Sequence, residues 1–385
     1  MPLRICHVTP HLPPDQAANA LLPYHLGCWA RDAGDEPTYL AHPARQIPGR
    51  PSGIALPGPV TWVEPRRPAR GIARHLRLGS VIAARGIARV AGPCIERADL
   101  VHVHSNGLLP EYCGRLAARR GRPVVLTLYG TEIWHYRPKR FGDLFTSLYR
   151  SADAITFYSR GLLDRALEFG LSRPGLHVVY PPIADEFKRV DREGQAAARR
   201  SLGIRASRLL LNVKRLHPLA GQRFLVEAMP AIVKAHPDTL LVVCGTGALA
   251  AELEALARSL GVEDHVRFAG LVDNATIAVY NRAADLFVLP SLLEACPTVA
   301  LEALASGTPV VSSDNPGGVE LHGLFGDDVA VVPREDPGAL ARAIVSELGA
   351  PRRTAETTTG MLEREFRPAA VAARFYGIYR SVLGA

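Results

Sequence analysis

The densest run of residues able to do chemistry lies between Leu286 and Glu320, LFVLPSLLEACPTVALEALASGTPVVSSDNPGGVE. An apolar stretch reading as a buried strand ends at Leu289, the turn Pro290-Ser291 follows, a loop carries Glu294, and Pro297 opens a helix. Proline suits the first helical position because the N–H it lacks would be unpaired there anyway. The free N–H groups of Thr298, Val299 and Ala300, with the helix dipole behind them, then make an anion site fit for a phosphate or diphosphate. Glu302, about one turn further in, offers a carboxylate that can accept two hydroxyl hydrogen bonds, as a vicinal diol on a ribose supplies. Arg215 follows the strand-like run Leu209–Val213 and presents a guanidinium able to bind phosphate oxygens in pairs. Spacing alone does not separate these residues from a surface loop, a solvated helix and one arginine among many.

Holding such groups in place takes regular elements, and the chain is full of them. A first series of strand-like runs comprises Leu3–Val8, Thr38–Leu40, Val60–Val63, Leu100–His104, Val124–Leu128, Ala154–Phe157 and His177–Tyr180. A second comprises Leu209–Val213, Leu240–Cys244, His265–Phe268, Leu286–Leu289, Val310–Ser312 and Val329–Val332. Amphipathic helical patterns such as Phe224–Ala235, Leu249–Leu260 and Leu340–Leu348 lie between them, which is the mark of parallel sheets covered by helices. Two series predict an α/β protein with two doubly wound, Rossmann-like domains, residues 1–190 and 191–366. A polar stretch, Lys188 to Arg200, separates the two series. A last helix, about Pro368 to Leu383 within 367–385, needs a partner surface for Val371, Phe375, Ile378, Tyr379 and Val382. Parallel sheets bind ligands at the carboxyl ends of their strands, so two such domains facing each other would share one site in the cleft.

Composition narrows the classes. The 385 residues are 48% hydrophobic and 21% charged, which supports real cores and excludes a disordered, collagen-like or disulfide-scaffold chain. No apolar run reaches the ~18–20 residues needed to span a bilayer. A proline interrupts the N-terminal MPLRICHVTPHLPP before it makes a signal segment, so a soluble, cytoplasmic protein is expected. Only four of the 45 basic residues are lysines, a bias that reads as genomic base composition rather than as a nucleic-acid partner. The arginine-rich run Glu64–Arg97 fits a solvated helix, or peripheral contact with an anionic membrane or substrate. Six cysteines without a CxxC and thirteen histidines without an HExxH point to a reducing compartment, no disulfide framework and no required metal.

The full pattern P-S, E, a proline-opened helix, E-A, then SGTPVV and D-x-P-G-G closely resembles the Glu-x7-Glu segment of retaining glycosyltransferases with the GT-B fold, the glycosyl transferases group 1. The resemblance covers nearly the whole chain. RFAGLVDNATIAVYNRAADLFVLPS is similar to the preceding segment, VVYPPIADEF to the interdomain linker, and ADLVHVHS, with His102 and His104, to an N-domain strand ending in the acceptor cleft. The resemblance implies that Glu294 reaches the donor sugar, Glu302 holds the nucleotide ribose and Arg215 neutralises the leaving diphosphate. It also implies a donor-binding set of Gly245, Gly270, Leu271, Cys296, Pro297, Thr298, Val299, Ala17, Ala18 and Lys214. His104, Tyr129 and Glu132 then face the acceptor, and the C-terminal helix returns to the N-domain.

This sequence departs from the family pattern at three places. Ala220-Gly221 stands where a lysine and glycine are usual, with Lys214 and Arg223 the nearest other cations. Ala17-Ala18 replaces a glycine pair, and Tyr129 replaces a histidine in TLYGTEIWHY, where Glu132 either orients the acceptor or shapes the pocket. A rival motif, LLVVCGTGALA, resembles a dinucleotide fingerprint, but Glu263 and Asp264 precede the next strand instead of ending it. The expected function is transfer of a hexose-like sugar, with retention, from a nucleoside diphosphate sugar (UDP favoured) to a small or lipid-linked acceptor, without metal. Alternatives are an epimerase or sugar phosphorylase of the same fold, and a silent nucleotide-sugar-binding protein. The oligomeric state is left open.

Overall fold

The computed structural model describes residues 2–15, 17–43, 54–64, 78–138 and 142–384. Much of the arginine-rich run Glu64–Arg97 therefore lies outside the described residues, which resume with the helix Leu78–Arg97. The chain divides into two compact units: Met1–Val179 together with Ala372–Ala385, and Tyr180–Val371.

Unit 1 is built on a seven-stranded sheet in the order β3-β2-β1-β4-β5-β6-β7. Its strands are β1 (Arg4–Thr9), β2 (Glu36–Ala41), β3 (Val60–Trp62), β4 (Leu100–His104), β5 (Val124–Leu128), β6 (Ala154–Phe157) and β7 (Leu176–Val178). Every pairing is parallel. β4, β5 and β6 are buried along their whole length, as strands covered on both faces must be, and this is why they read as continuous apolar runs. Unit 2 repeats the plan with six parallel strands in the order β10-β9-β8-β11-β12-β13. These are β8 (Arg208–Val213), β9 (Thr239–Cys244), β10 (Val266–Gly270), β11 (Leu286–Leu289), β12 (Val310–Ser313) and β13 (Val329–Val332). All thirteen expected strands are present, each within about two residues of its expected place. Among the described residues, no helix is long and apolar enough to cross a membrane.

One local expectation needs correction, and the polar stretch between the two series gains an element. The polar stretch after Lys188 contains the helix Arg192–Ser201, started by Asp191, whose carboxylate accepts the Gly194 N–H at 2.8 Å. Two of its polar side chains, Gln195 and Arg199, are tied down, while Arg192, Glu193 and Arg200 are exposed. Gln195 Nε2 donates to Ala284 O at 2.9 Å, and Arg199 pairs at 2.5 Å with Asp285, which also accepts the Leu209 N–H at 2.8 Å. Pro297, for its part, is the cap residue (φ −78°, ψ 93°) and the helix begins at Thr298.

The helix Pro368–Leu383 packs within unit 1 through its C-terminal part. Phe375, Ile378 and Tyr379 are buried, Tyr379 Oη lies 2.7 Å from His102 Nδ1, and Tyr376 donates to Asp35 at 2.7 Å. Phe375, fully enclosed beside the His102 ring, is the apolar anchor. Phe375→Ala is expected to cost about 3–5 kcal/mol of stability, as an aromatic deletion that leaves a cavity does. A denaturant midpoint within error of the parent would mean that this helix is not held by its core face.

Candidate active site

The strand order of unit 2 reverses between β8 and β11, and open parallel sheets bind ligands at such a reversal. Lys214 and Arg215 follow β8, and Glu294 follows β11, so the reversal brings the charged loops together. Lys214 Nζ lies 2.5 Å from Glu294 Oε1, with 26% and 11% of the two side chains exposed. Arg215 is exposed. Arg223, the other nearby cation, instead pairs with Glu227 at 2.7 Å along its own helix, Gln222–Ala235.

These loops touch backbone to backbone. Lys214 donates its N–H to Cys244 O at 3.0 Å, Leu216 to Thr246 O at 3.0 Å, and Gly245 to Gly270 O at 2.7 Å. A methyl group on Gly245 would lie 2.1 Å from Lys214 O, and one on Gly247 2.0 Å from Leu216 O. The G-x-G after β9 thus has a packing cause, which accounts for its likeness to a dinucleotide fingerprint. Gly221, in the left-handed region at φ 67°, would similarly drive a methyl to 2.0 Å from Pro290 O. Gln222, buried beneath, donates to Arg215 O at 3.3 Å. Gly270 takes φ 68° at the end of β10, leaving Leu271 75% exposed beside it.

The loop from Pro290 to Pro297 is held from the other side by the segment after β12. Buried Asn315 donates to Ser291 O at 3.0 Å and accepts from Gly318 N–H at 3.0 Å, capping the helix Pro316–Phe325. Ser313 also donates to Ser291 O. Gly317 donates to Glu294 O at 3.0 Å, and a methyl there would lie 2.9 Å from Glu294 Cβ. Glu294 is therefore fixed through its own backbone. Asn315 was not among the expected site residues, although Asn-Pro-Gly-Gly carries a readable helix-cap signal.

At the start of the helix Thr298–Ala305, Ala300 N–H is already taken by Pro297 O at 3.0 Å, and no side chain caps the helix. Thr298 and Val299, both partly buried, supply the remaining donors at this end. Cys296 is partly buried and its thiol is pushed well up by burial, with Glu320 and Glu294 adding to the shift. Glu302, also partly buried, has its carboxyl pushed up to about 8, chiefly by burial and secondarily by Glu186. In the free protein it is a neutral acid at pH 7 and so offers one O–H donor and one acceptor, a pairing equally suited to a diol.

On unit 1, Ala17 and Ala18 are exposed at the start of the helix Ala18–Asp32. His104 is fully buried at the end of β4, with Nδ1 2.7 Å from Tyr129 Oη and Nε2 3.1 Å from His7 Nδ1. His102 is held between Tyr379 Oη and Thr127 Oγ1, each at 2.7 Å. Burial keeps both imidazoles well below their ordinary pKa, with the neighbouring histidines adding, and lowers His7 to about 3. His7 was not expected in this cluster; nothing local in ICHVTP marks it. Glu132, 3% exposed, has both oxygens occupied: Ser105 donates to one, and the N–H groups of Tyr129 and Gly130 to the other at 3.2 and 2.8 Å. It braces the loop that carries Tyr129.

The two parallel-sheet, Rossmann-like units have the GT-B fold. Residues 195–355 match the family described as Glycosyl transferases group 1, and residues 24–187 match Glycosyltransferase Family 4. A glycogen synthase of Mycobacterium tuberculosis is 30% identical over 299 residues, 74% of this chain and 69% of the relative. The chain belongs to the group 1 glycosyltransferases. A GDP-mannose-dependent alpha-(1-6)-phosphatidylinositol monomannoside mannosyltransferase of Mycolicibacterium smegmatis is 32% identical over 259 residues, covering 63% of this chain. That match spans 65% of the mannosyltransferase, just under two thirds of its length. In fold, a sucrose-phosphate synthase of Thermosynechococcus elongatus superposes over 99% of both chains with a TM-score of 0.75 at 21% identity.

The raised pKa of Glu302 has a definite sign in stability. Between its ordinary value of 4.5 and about 8, the folded protein holds a proton that the unfolded chain releases, so this group costs stability as pH rises through that window. Glu302→Gln is expected to flatten the fall and to exceed the parent in denaturant midpoint near pH ~9. Parallel pH profiles for the two proteins would refute the assignment.

Proposed function

We propose that the chain is a retaining glycosyltransferase that moves a hexose-like sugar from a nucleoside diphosphate sugar to a hydroxyl of a small or lipid-linked acceptor. What supports this reading is that Arg215 and the Lys214–Glu294 pair follow the two strands at the sheet reversal, with the open helix start at Thr298 and the Glu302 carboxyl, raised by burial, on the helix after β11. Each matches one part of a nucleoside diphosphate sugar. Arg215 and the N–H groups of Thr298 and Val299 stabilise charge as it develops on the departing diphosphate, the preorganised electrostatics that often dominates catalysis. Lys214 adds a second positive charge where Ala220 supplies none.

Glu294 receives hydroxyls of the transferred sugar, Glu302 the ribose diol, and the backbone at Gly270 and Leu271 the base. The acceptor oxygen attacks from the face the diphosphate leaves, and a leaving phosphate oxygen takes its proton, so the anomeric configuration is retained. No metal ion enters this scheme. On unit 1, Tyr129 donates to the acceptor, positioned by His104 behind it and by Glu132 below. The base is the open choice between the expected UDP and the GDP named for the M. smegmatis relative.

A melting screen against UDP, GDP, ADP and dTDP and their sugars identifies the donor, since a ligand at a hundred times its Kd stabilises by about 2.7 kcal/mol. Arg215→Ala is expected to lower kcat by roughly 10²–10³ with a near-normal donor KM, as removal of one charge-stabilising donor does. Glu302→Ala should instead raise the donor KM by about tenfold or more, and Glu302→Gln, which mimics the neutral acid, by less. Unaltered donor affinity and rate in both alanine variants, or an inverted anomer in the product by NMR, would overturn the proposal.

A further inference from the structure

Cys6 and Cys94 stand 88 positions apart in sequence, and no spacing rule links them. Folding brings them into contact. Cys6 is fully buried on β1, Cys94 is partly buried near the end of the helix Leu78–Arg97, and their sulfurs lie 3.3 Å apart. Thr38 Oγ1, on β2, sits 3.5 Å from Cys94 Sγ. Both cysteines are free thiols. Closing to a disulfide bond length of about 2.05 Å asks the sulfurs to move together by about 1.3 Å, a side-chain adjustment.

We propose that Cys6 and Cys94 form a reversible disulfide with a low-molecular-weight disulfide as oxidant. The two cysteines have unequal parts. Cys94 is the one that solvent reaches, and its thiol is lowered to about 7 by the hydrogen bond with Cys6, helped by Thr38 and Arg97. A thiolate is the attacking species in exchange. Cys94 Sγ attacks one sulfur of the oxidant RSSR, forming a mixed disulfide and releasing RS⁻, which takes up the proton that Cys94 gave up. Cys6 Sγ then attacks Cys94 Sγ, the second RS⁻ departs, and it takes the Cys6 proton. The sum is two protein thiols and RSSR giving one internal disulfide and two RSH. Cys113, fully buried on the helix Leu108–Arg119, hydrogen-bonds neither sulfur and its thiol is pushed up by burial, so it takes no part.

The test equilibrates the full chain with graded ratios of oxidised to reduced glutathione, quenches in acid, alkylates the unfolded protein and maps tryptic peptides. Cys6 shares the peptide Ile5–Arg31 with Cys28, so fragmentation must assign the bridge to Cys6 rather than Cys28. The expected product is that peptide joined to Val90–Arg97, lost on adding dithiothreitol and retained in Cys113→Ser. Cys6→Ser should stop at a glutathione adduct on Cys94, because the second attack has no sulfur to make it. A Cys94 that remains alkylatable at every ratio, or that bridges to Cys28 or Cys113, would overturn the proposal. These readouts do not involve sugar transfer, so they stand or fall apart from the proposed activity.

Discussion

The candidate site depends on close contact between peptide backbones. Where β8, β9 and β11 end, their loops are hydrogen-bonded main chain to main chain, and Gly221, Gly245 and Gly247 leave no room for a single methyl group. Side chains are thereby displaced to the rim, which is where Lys214, Arg215 and Glu294 stand. A loop held this way keeps its charges in place before any ligand arrives, and preorganisation of that kind is what electrostatic catalysis requires. The β12 segment completes the frame, since Asn315 and Gly317 hold the Glu294 loop by its carbonyls rather than by its side chains.

Unit 1 achieves rigidity by other means. Its polar interior is a set of neutral imidazoles and hydroxyls: His7, His102 and His104, with Thr127, Tyr129 and Tyr379. Burial makes protonation unfavourable, so the cluster carries hydrogen bonds and no charge. Buried hydrogen-bond networks of this kind favour one arrangement of the strands they join, although His7 Nε2 has no partner here. They also hold the Tyr129 hydroxyl, which lies 2.7 Å from His104 Nδ1.

Much of this was legible in the sequence, and the reasons are physical. All thirteen strands could be read because the central ones are apolar runs covered on both faces, and the partly exposed β3, β7 and β10 still carry β-branched or apolar residues. The loops after the strands could be singled out because parallel sheets bind ligands there, while the individual residues were named from the resemblance to the family motif. What escaped was set by distant partners. Within Lys188–Arg200, Gln195 and Arg199 meet the carbonyls of Ala284 and Ala283, partners that lie 89 and 84 positions away in the chain. The brace role of Glu132 depends on the path of the Tyr129-Gly130 backbone, and His7 meets His104 only because β1 lies beside β4. The cap residue Pro297 differed by one position, a matter of local dihedral angles that sequence preference does not resolve.

The route of the chain through its units has a consequence for its synthesis. Unit 1 precedes unit 2 in the chain but is completed by the stretch from Ala372 onward, with the whole of unit 2 made in between. A nascent chain emerging from the ribosome therefore finishes its second unit before its first. Until the helix Pro368–Leu383 is released, the surface that will receive Phe375, Tyr376 and Tyr379 is open, and His102 and Asp35 lack those partners. Domains usually mature in the order they are made. Here that order is inverted, and the early sheet has to wait, exposed, for a helix that follows unit 2.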